Sequence, residues 1–517
     1  MKQAILLFIL TIYHSSSYCQ NALPIIKDLV ADWSIDRTSI EINFATDDID
    51  NDEHDIDVKL TYNFGLTKNQ FLIPIQKSGD IGTGIPKGNN KKIILEFSQA
   101  INEGVVLNLI VSDNEPLLAK DIINQVNSNQ SLAKNLARIE GRRHAKADSV
   151  YLENSREFLL SKMSNYFTTD ELISSTPTLK CINFVADQIG TKNPEEIYVI
   201  DAHYDGVAIS PGADDNGSGV VGVLEAMHVL SQYACDKTIR YALFDLEELG
   251  LVGSNLYLSN QIHSADKIQG AINFEMIGYY SNEPNSQTLP TGFNILFPDA
   301  FNEVVRNQYR GNFITNVGNT ISASLIAAYQ KNATECVPNL KVISLTVPGK
   351  GELVPDLRRS DHASFWDKNI PAIMLTDGAN FRNKRYHTAS DSAHYLDYNF
   401  MTQVIQASVA SLIQLAGIKH AASKQYELST GLSSTINSNS KNHYFFINNS
   451  ILFIQNEKLK NSLVNGYNSD GKLVFTKSLK DENQIDLNPL LHSNGVYFLN
   501  IQKNNSNFNL KFLHESN

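Results

Sequence analysis

Apolar residues recur along this chain in two different rhythms, and the change between them divides it. Residues 21 to about 115 carry short period-two runs, such as Ser39-Ile40-Glu41-Ile42-Asn43-Phe44 and Lys92-Ile93-Ile94-Leu95-Glu96-Phe97. Alternation turns every second side chain to one face, and the Gly, Asn and Asp spacers supply turns. A small antiparallel β-sandwich over 20–115 is the expectation. From about 117 to 418 the runs become apolar throughout and alternate with helical stretches. Ile197-Tyr198-Val199-Ile200, Ile239-Arg240-Tyr241-Ala242-Leu243-Phe244, Ala271-Ile272-Asn273-Phe274 and Pro371-Ala372-Ile373-Met374-Leu375 read as strands. Helices are expected over Gly219 to Tyr233, from about Leu249, and over Met401 to Leu415. Strands apolar on both faces and separated by helices predict a mostly parallel sheet covered on two sides, an α/β domain spanning 117–418. Residues 419–442, which contain the aperiodic Ser- and Asn-rich stretch Ser423 to Ser440, read as a linker. Period-two runs return in 443–517, at Tyr444-Phe445-Phe446-Ile447, Leu473-Val474-Phe475 and Val496-Tyr497-Phe498-Leu499, and predict a small C-terminal β-domain.

Length supports several domains, since 517 residues exceed what one core organises. A formal charge of -12 argues against a nucleic-acid partner, which needs clustered Lys and Arg. At the N-terminus Lys2, the apolar run Ala4 to Ile12 and small residues at Ser17 and Cys19 read as a cleavable secretion signal over 1–19, the expectation there. Its apolar core is too short to span a bilayer, which takes about 20 apolar residues, and no later stretch reaches that length. Cys181, Cys235 and Cys336 remain after cleavage, too far apart for a CxxC-type zinc or redox site. The acidic run Asp47 to Glu53 reads as a solvated loop, with calcium binding as the alternative, because the EF-hand's glycine and terminal Glu are out of register.

The chemistry sits just beyond the strands. The first main strand runs into Asp201-Ala202-His203-Tyr204-Asp205-Gly206, an imidazole with a carboxylate two residues on. Such a pairing suits a metal ligand, since a hydrogen bond to the second ring nitrogen fixes the tautomer. Asp214-Asp215-Asn216-Gly217-Ser218-Gly219 leads into a helix, where the acids alone would read as caps. The second strand ends at Asp245-Leu246-Glu247-Glu248, adjacent carboxylates that point in different directions, so one can hold a metal while its neighbour faces water. The third ends at Glu275, and a downstream loop holds Tyr386-His387-Thr388-Ala389-Ser390-Asp391. An acid or His closing strand after strand is a poor fit to chance, because functional groups of such folds gather at the carboxyl ends of the strands. Ser218 lies outside any GxSxG elbow, and His228 and His362 read as structural, with support of a metal ligand from outside as the alternative for His362. The long stretch 281–360 before Asp361 is expected to shape a substrate pocket.

AHYDG, GADDNGSG, DLEELGLVGS, NFEMIGY and YHTASDS together resemble metallopeptidase family 28, the co-catalytic zinc exopeptidases, across most of 117–418. The resemblance implies two zinc ions. His203 and Glu275 would hold one, Glu248 and His387 the other, with Asp215 bridging. It further implies that Asp205 orients His203, that Glu247 is the general base, and that Tyr386 stabilises the oxyanion. Glu275 departs from the Asp common at that position. The implied activity is aminopeptidase hydrolysis of peptides. A carboxypeptidase or dipeptidase, a glutaminyl cyclase and an inactive binding protein are alternatives on the same scaffold. The tail's NGVYFLNIQ and NLKFLHES resemble the C-terminal sorting domain of type IX secretion, implying secretion machinery as a partner and export through the periplasm of a Gram-negative bacterium to the surface or medium.

Overall fold

A computed structural model describes residues 22–428 apart from 51–52, 64–66, 102, 127–130 and 176–178, and in the tail 445–448, 451–454, 463–468, 472–478, 484–491, 495–503 and 506–514. The expected signal over 1–19 and the linker residues 429–442 lie outside these. Strands β1 (Ile25–Trp33), β2 (Ser39–Asp47), β3 (His54–Tyr62), β4 (Gln76–Gly79), β5 (Gly82–Ile85), β6 (Gly88–Glu96) and β7 (Val105–Ser112) come first. Strands β8 (Thr169–Ser175), β9 (Lys180–Gln188), β10 (Asn193–His203), β11 (Tyr233–Cys235), β12 (Lys237–Phe244), β13 (Lys267–Phe274), β14 (Ile314–Asn319), β15 (Val342–Val347), β16 (Ala372–Thr376) and β17 (Ile418–Leu428) follow, interleaved with helices.

The main sheet has eight strands in the order β15-β14-β16-β13-β10-β12-β9-β8. Its centre, β12-β10-β13-β16, is parallel, as the uniformly apolar runs require. Antiparallel pairing enters where β9 meets β12 and where β14 meets β16. The sheet is therefore mixed, parallel at its core. Alternate side chains feed two separate cores. Ile200, Ala202, Leu243, Ile272 and Leu375 pack on one side with helices Gly219–Leu230 and Tyr398–Ala416, while Val199, Phe244, Ala271 and Met374 pack on the other with Phe365 and Trp366. This two-sided burial explains why no polar face breaks the strands. Residues 281–360 do more than shape a pocket, because β14 and β15 extend this sheet.

The N-terminal strands form two layers. In the antiparallel sheet β1-β2-β6-β4, β2 buries Ile40, Ile42 and Phe44, and β6 buries Ile93 and Leu95, following the period-two pattern. The second sheet, β11-β17-β7-β3-β5, corrects two boundaries. It mixes N-terminal strands with β11 and β17, so the break expected near 115 does not separate two bodies. Met1–Ala100 and Val106–Glu427 form one compact unit. Within it Asn69 and Lys68 bind Asp266, which also takes Arg240 from β12. The expected linker likewise begins as strand: residues 419–428 lie in β17, with Ala422 paired to Tyr233 and Ala421, Ala422 and Leu428 buried. Its Ser, Lys and Gln residues disguise a strand because only a few positions turn inward.

A second unit comprises Ile101–Val105 with Leu428–Asn517. It holds a sheet of Phe445–Asn448, Ile451–Ile454 and Gln484–Asp486. It also holds an antiparallel sheet in which Leu463–Asn468 lies between Leu473–Ser478 and Gly495–Lys503, with Ser506–His514 beyond. Cys181, Cys235 and Cys336 are free thiols.

Candidate metal centre

Strand register decides what meets at the carboxyl edge. His203 ends β10 opposite Phe244, and Asp201 lies opposite Asn273 of β13. Glu275, two residues past Asn273, is thereby carried to the level of His203. The His203 Nε2 atom stands 3.3 Å from Glu275 Oε2, 3.5 Å from Asp215 Oδ1 and 3.8 Å from Glu247 Oε2. Its Nδ1 faces Asp205 Oδ1 at 3.3 Å.

The loops are held by hydrogen bonds to carboxylates. Asp205 accepts the backbone N–H groups of Glu247 and Glu248 at 3.0 and 3.2 Å. At this turn Leu246 has φ 53°, and the two glutamates part. Glu247 turns to His203, and Glu248 Oε2 lies 3.1 Å from His387 Nε2. Asp215 Oδ2 lies 3.0 Å from the same nitrogen. Asp391 accepts the N–H groups of Asp214 and Asp215, each at 3.1 Å. Capping does not explain the Asp pair, because Asp214 accepts from Gly278 and Asn383 instead. Buried Arg143 donates to Tyr204 O and Gly212 O, each at 2.7 Å, and to Pro211 O at 3.1 Å, tying down the loop from His203 to Asp215. Gly212 (φ +62°) must be glycine there: a Cβ would stand 2.4 Å from Asp215 O.

Ligand-type atoms of His203, Asp215 and Glu275 lie within 4.8 Å of one another, as do those of Asp215, Glu248 and His387. The structure thus gathers all five expected residues, with Asp215 common to both groups. Nitrogen and oxygen donors in this number suit zinc. The polar bookkeeping fits a cation too. Although Asp215 Oδ2 lies 3.0 Å from His387 Nε2, the angles do not make a hydrogen bond, and these two atoms and Glu248 Oε1 are buried without a hydrogen-bond partner, an arrangement unfavourable for the protein alone. Burial works against a charged His387, yet Asp215 and Glu248 raise its pKa to about 10. His203, where burial opposes Glu247 and Glu275, is likewise raised well above its ordinary value. In both groups the carboxylates ask for positive charge, which a dication provides in place of protons. Glu247 is raised as well, by burial first and then by Glu275, with His203 opposing.

Beside the cluster opens a mainly apolar cavity of about 70 Å³. Leu289, Phe293, Phe313, Leu345 and Met374 line it, and Glu275, Arg359 and Tyr386 form the side toward the cluster. Tyr386 stacks on His387 with ring centroids 3.7 Å apart. His362 lies away from the ligand atoms, its Nε2 2.9 Å from Leu357 O, and exposed His228 meets Tyr166. Ser218 holds two segments together, accepting from Ile277 N and donating to Asp214 O. Sequence reasoning missed Arg143, Asp391 and Ser360, whose Oγ donates to Glu275 Oε2 at 2.7 Å. Ser360 adjoins Asp361 and His362 in the sequence, and only the fold shows what it touches.

The profile described as peptidase family M28 matches residues 183–412, and that described as the secretion system C-terminal sorting domain matches 447–515. Over 242 residues the chain is 34% identical to the uncharacterized protein YfbL of Escherichia coli (strain K12), covering 44% of this chain and 70% of that protein. It is 44% identical over 89 residues to aminopeptidase YwaD of Bacillus subtilis (strain 168), spanning 17% of this chain and 19% of that enzyme. The crystal structure of the Legionella pneumophila LapA aminopeptidase is similar with a TM-score of 0.44 and 22% identity, over 58% of this chain and 74% of that one. On the match to its family profile and to YfbL, the chain belongs to peptidase family M28 and carries a secretion-system sorting domain at its tail.

Proposed function

We propose that this chain is a secreted exopeptidase using two zinc ions, and that its activity is removal of N-terminal residues from peptides. One observation carries the reading: Asp215 is shared by two His-and-carboxylate groups, while a further carboxylate, Glu247, stands 3.8 Å from His203 and belongs to neither. His203, Asp215 and Glu275 would hold one ion, and Asp215, Glu248 and His387 the other. Bound there, the pair supplies Lewis acidity that makes water a nucleophile at neutral pH and polarises the scissile carbonyl. Glu247 takes the proton of the attacking water on its carboxylate and returns it to the leaving amine. Asp205 holds His203 through Nδ1, leaving Nε2 as the ligand atom. Tyr386, kept protonated chiefly by burial, offers its O–H to the developing oxyanion. The apolar cavity receives the side chain of the released residue, which favours large apolar residues.

Export follows from the tail, whose sorting domain supports delivery to the cell surface or medium. Among the described residues no helix is long and apolar enough to cross a membrane.

The test is Glu247→Gln. It should keep two zinc ions while kcat falls by about 10²- to 10⁴-fold, the usual share of general base catalysis. Undiminished turnover would remove Glu247 from the mechanism. Purified chain without stoichiometric zinc or chelator-sensitive hydrolysis would point to a binding protein, and trimming of a peptide library from its carboxyl end would point to a carboxypeptidase.

A further inference from the structure

We propose that Arg359 is a positioning residue that aims the Tyr386 hydroxyl at the reacting carbonyl. The inference rests on the peptidase reading above and adds a part to it. Arg359 follows the turn Pro355–Arg358 and immediately precedes Ser360, the residue that holds Glu275. Its Nη2 donates to Tyr386 Oη at 2.8 Å, and its guanidinium lies over the Tyr386 ring, 5.4 Å from the centroid. The guanidinium is itself anchored: Nη1 donates to Asn380 Oδ1 at 3.0 Å and lies 3.5 Å from Asp356 Oδ1.

Tyr386 is thus held by two neighbours: the His387 imidazole stacks on its ring at an interplanar angle of 18°, and the Arg359 guanidinium binds its hydroxyl and lies 5.4 Å from its centroid. Because the phenol oxygen already accepts a hydrogen bond from a cation, its own O–H is turned away from Arg359. Among the described residues that O–H has no acceptor, and Tyr386 lines the cavity beside Glu275. A hydroxyl left free to rotate would spend most of its time misdirected; one held in place is ready before the oxyanion forms, which is the condition for electrostatic catalysis. Arg359 suits the task better than lysine, since a planar fork can bind Tyr386 and Asn380 together.

A second use of Arg359 must be separated from this one. Its side chain is 41% exposed, so it could instead bind the free carboxylate of a short peptide. The experiment is a double-mutant cycle on the zinc-loaded full chain, with Arg359→Ala, Tyr386→Phe, the double variant and Arg359→Lys. Substrates are a leucyl chromogenic anilide, leucyl-glycine and leucyl-glycine amide. Tyr386→Phe should lower kcat by roughly 10²-fold, the cost of losing one oxyanion donor. Arg359→Ala should lower kcat about tenfold on all three substrates with KM unchanged, as expected for an interaction made only in the transition state. In the Tyr386→Phe background the same change should do nothing further, because the two act as a unit. Arg359→Lys should recover part of the loss, and zinc content should remain at wild type throughout.

Additive losses in the double variant, or a KM rise confined to leucyl-glycine, would overturn the proposal and make Arg359 a substrate contact. A crippled Tyr386→Phe beside a fully active Arg359→Ala would overturn it alone. Full activity of Tyr386→Phe would remove Tyr386 from the mechanism and overturn this inference, whereas an inactive wild-type chain would overturn the peptidase reading and this inference with it.

Discussion

Replacing Asp205 by Asn tests whether a single carboxylate holds the proposed metal centre together. Its two oxygens serve two backbone donors and face an imidazole: Oδ1 accepts Glu247 N–H at 3.0 Å and stands 3.3 Å from His203 Nδ1, and Oδ2 accepts Glu248 N–H at 3.2 Å. Asn keeps the shape but turns one acceptor into a donor, and neither orientation works. With its oxygen at the Oδ1 position, its NH₂ meets the Glu248 N–H head on. Flipped, the NH₂ opposes Glu247 N–H and demands a lone pair on His203 Nδ1, which moves the ring proton to Nε2, the atom facing Asp215 and Glu275. An unsatisfied buried donor costs about 1–3 kcal/mol. Loss of such an outer partner weakens metal binding by roughly 10- to 100-fold. Thermal unfolding in chelator reads the first effect, and competition against a chromophoric chelator reads the second. The variant should unfold earlier in chelator and release zinc at lower chelator concentration. Wild-type behaviour in both assays would show that Asp205 merely fills space.

Other perturbations follow from the same geometry. His362, fully buried against Trp366, has its pKa pushed down to about 4 by burial. The fold therefore favours the neutral ring; this stability is complete above about pH 6.5 and is lost as pH falls toward 4, about 2 kcal/mol of it by pH 5. Denaturant titrations should show a steeper acid loss in wild type than in His362→Gln, and matching slopes would exclude the effect. In Gly222→Ala the new Cβ would sit 2.9 Å from ring carbons of Phe274, the neighbour of Glu275. Overpacking of about 1–3 kcal/mol should appear in denaturant unfolding, and unchanged stability would mean that Phe274 can yield. Val304→Phe fills part of the apolar cavity. Hydrolysis of leucyl relative to alanyl anilides should fall about tenfold, and an unchanged ratio would place side-chain selection elsewhere.

The alternating and all-apolar runs were sufficient to locate β2, β6 and the four central strands of the main sheet, because they report one strand's own faces and need no knowledge of a partner. They also pointed to the candidate site: once β10, β12 and β13 are parallel and in register, the residues just past their ends must share an edge, so His203, Glu248 and Glu275 could be grouped from order alone. Two things escaped this reasoning. Whether a polar stretch is strand or linker depends on a distant partner, as residues 419–428 acquire through Tyr233 and Cys235. Side chains that orient the site act across the chain: Ser360 reaches Glu275 over 85 positions, Arg143 reaches Gly212 over 69, and Asp391 holds Asp215 over 176.

By itself, then, the sequence determined which segments bury which faces and which acids and imidazoles stand at the strand ends, since these depend on local periodicity. Tertiary structure alone decided that the N-terminal strands and the peptidase region share a sheet, and which buried groups fix each candidate ligand. Those outcomes depend on hydrogen bonds closed between remote segments, whose geometry no local pattern encodes.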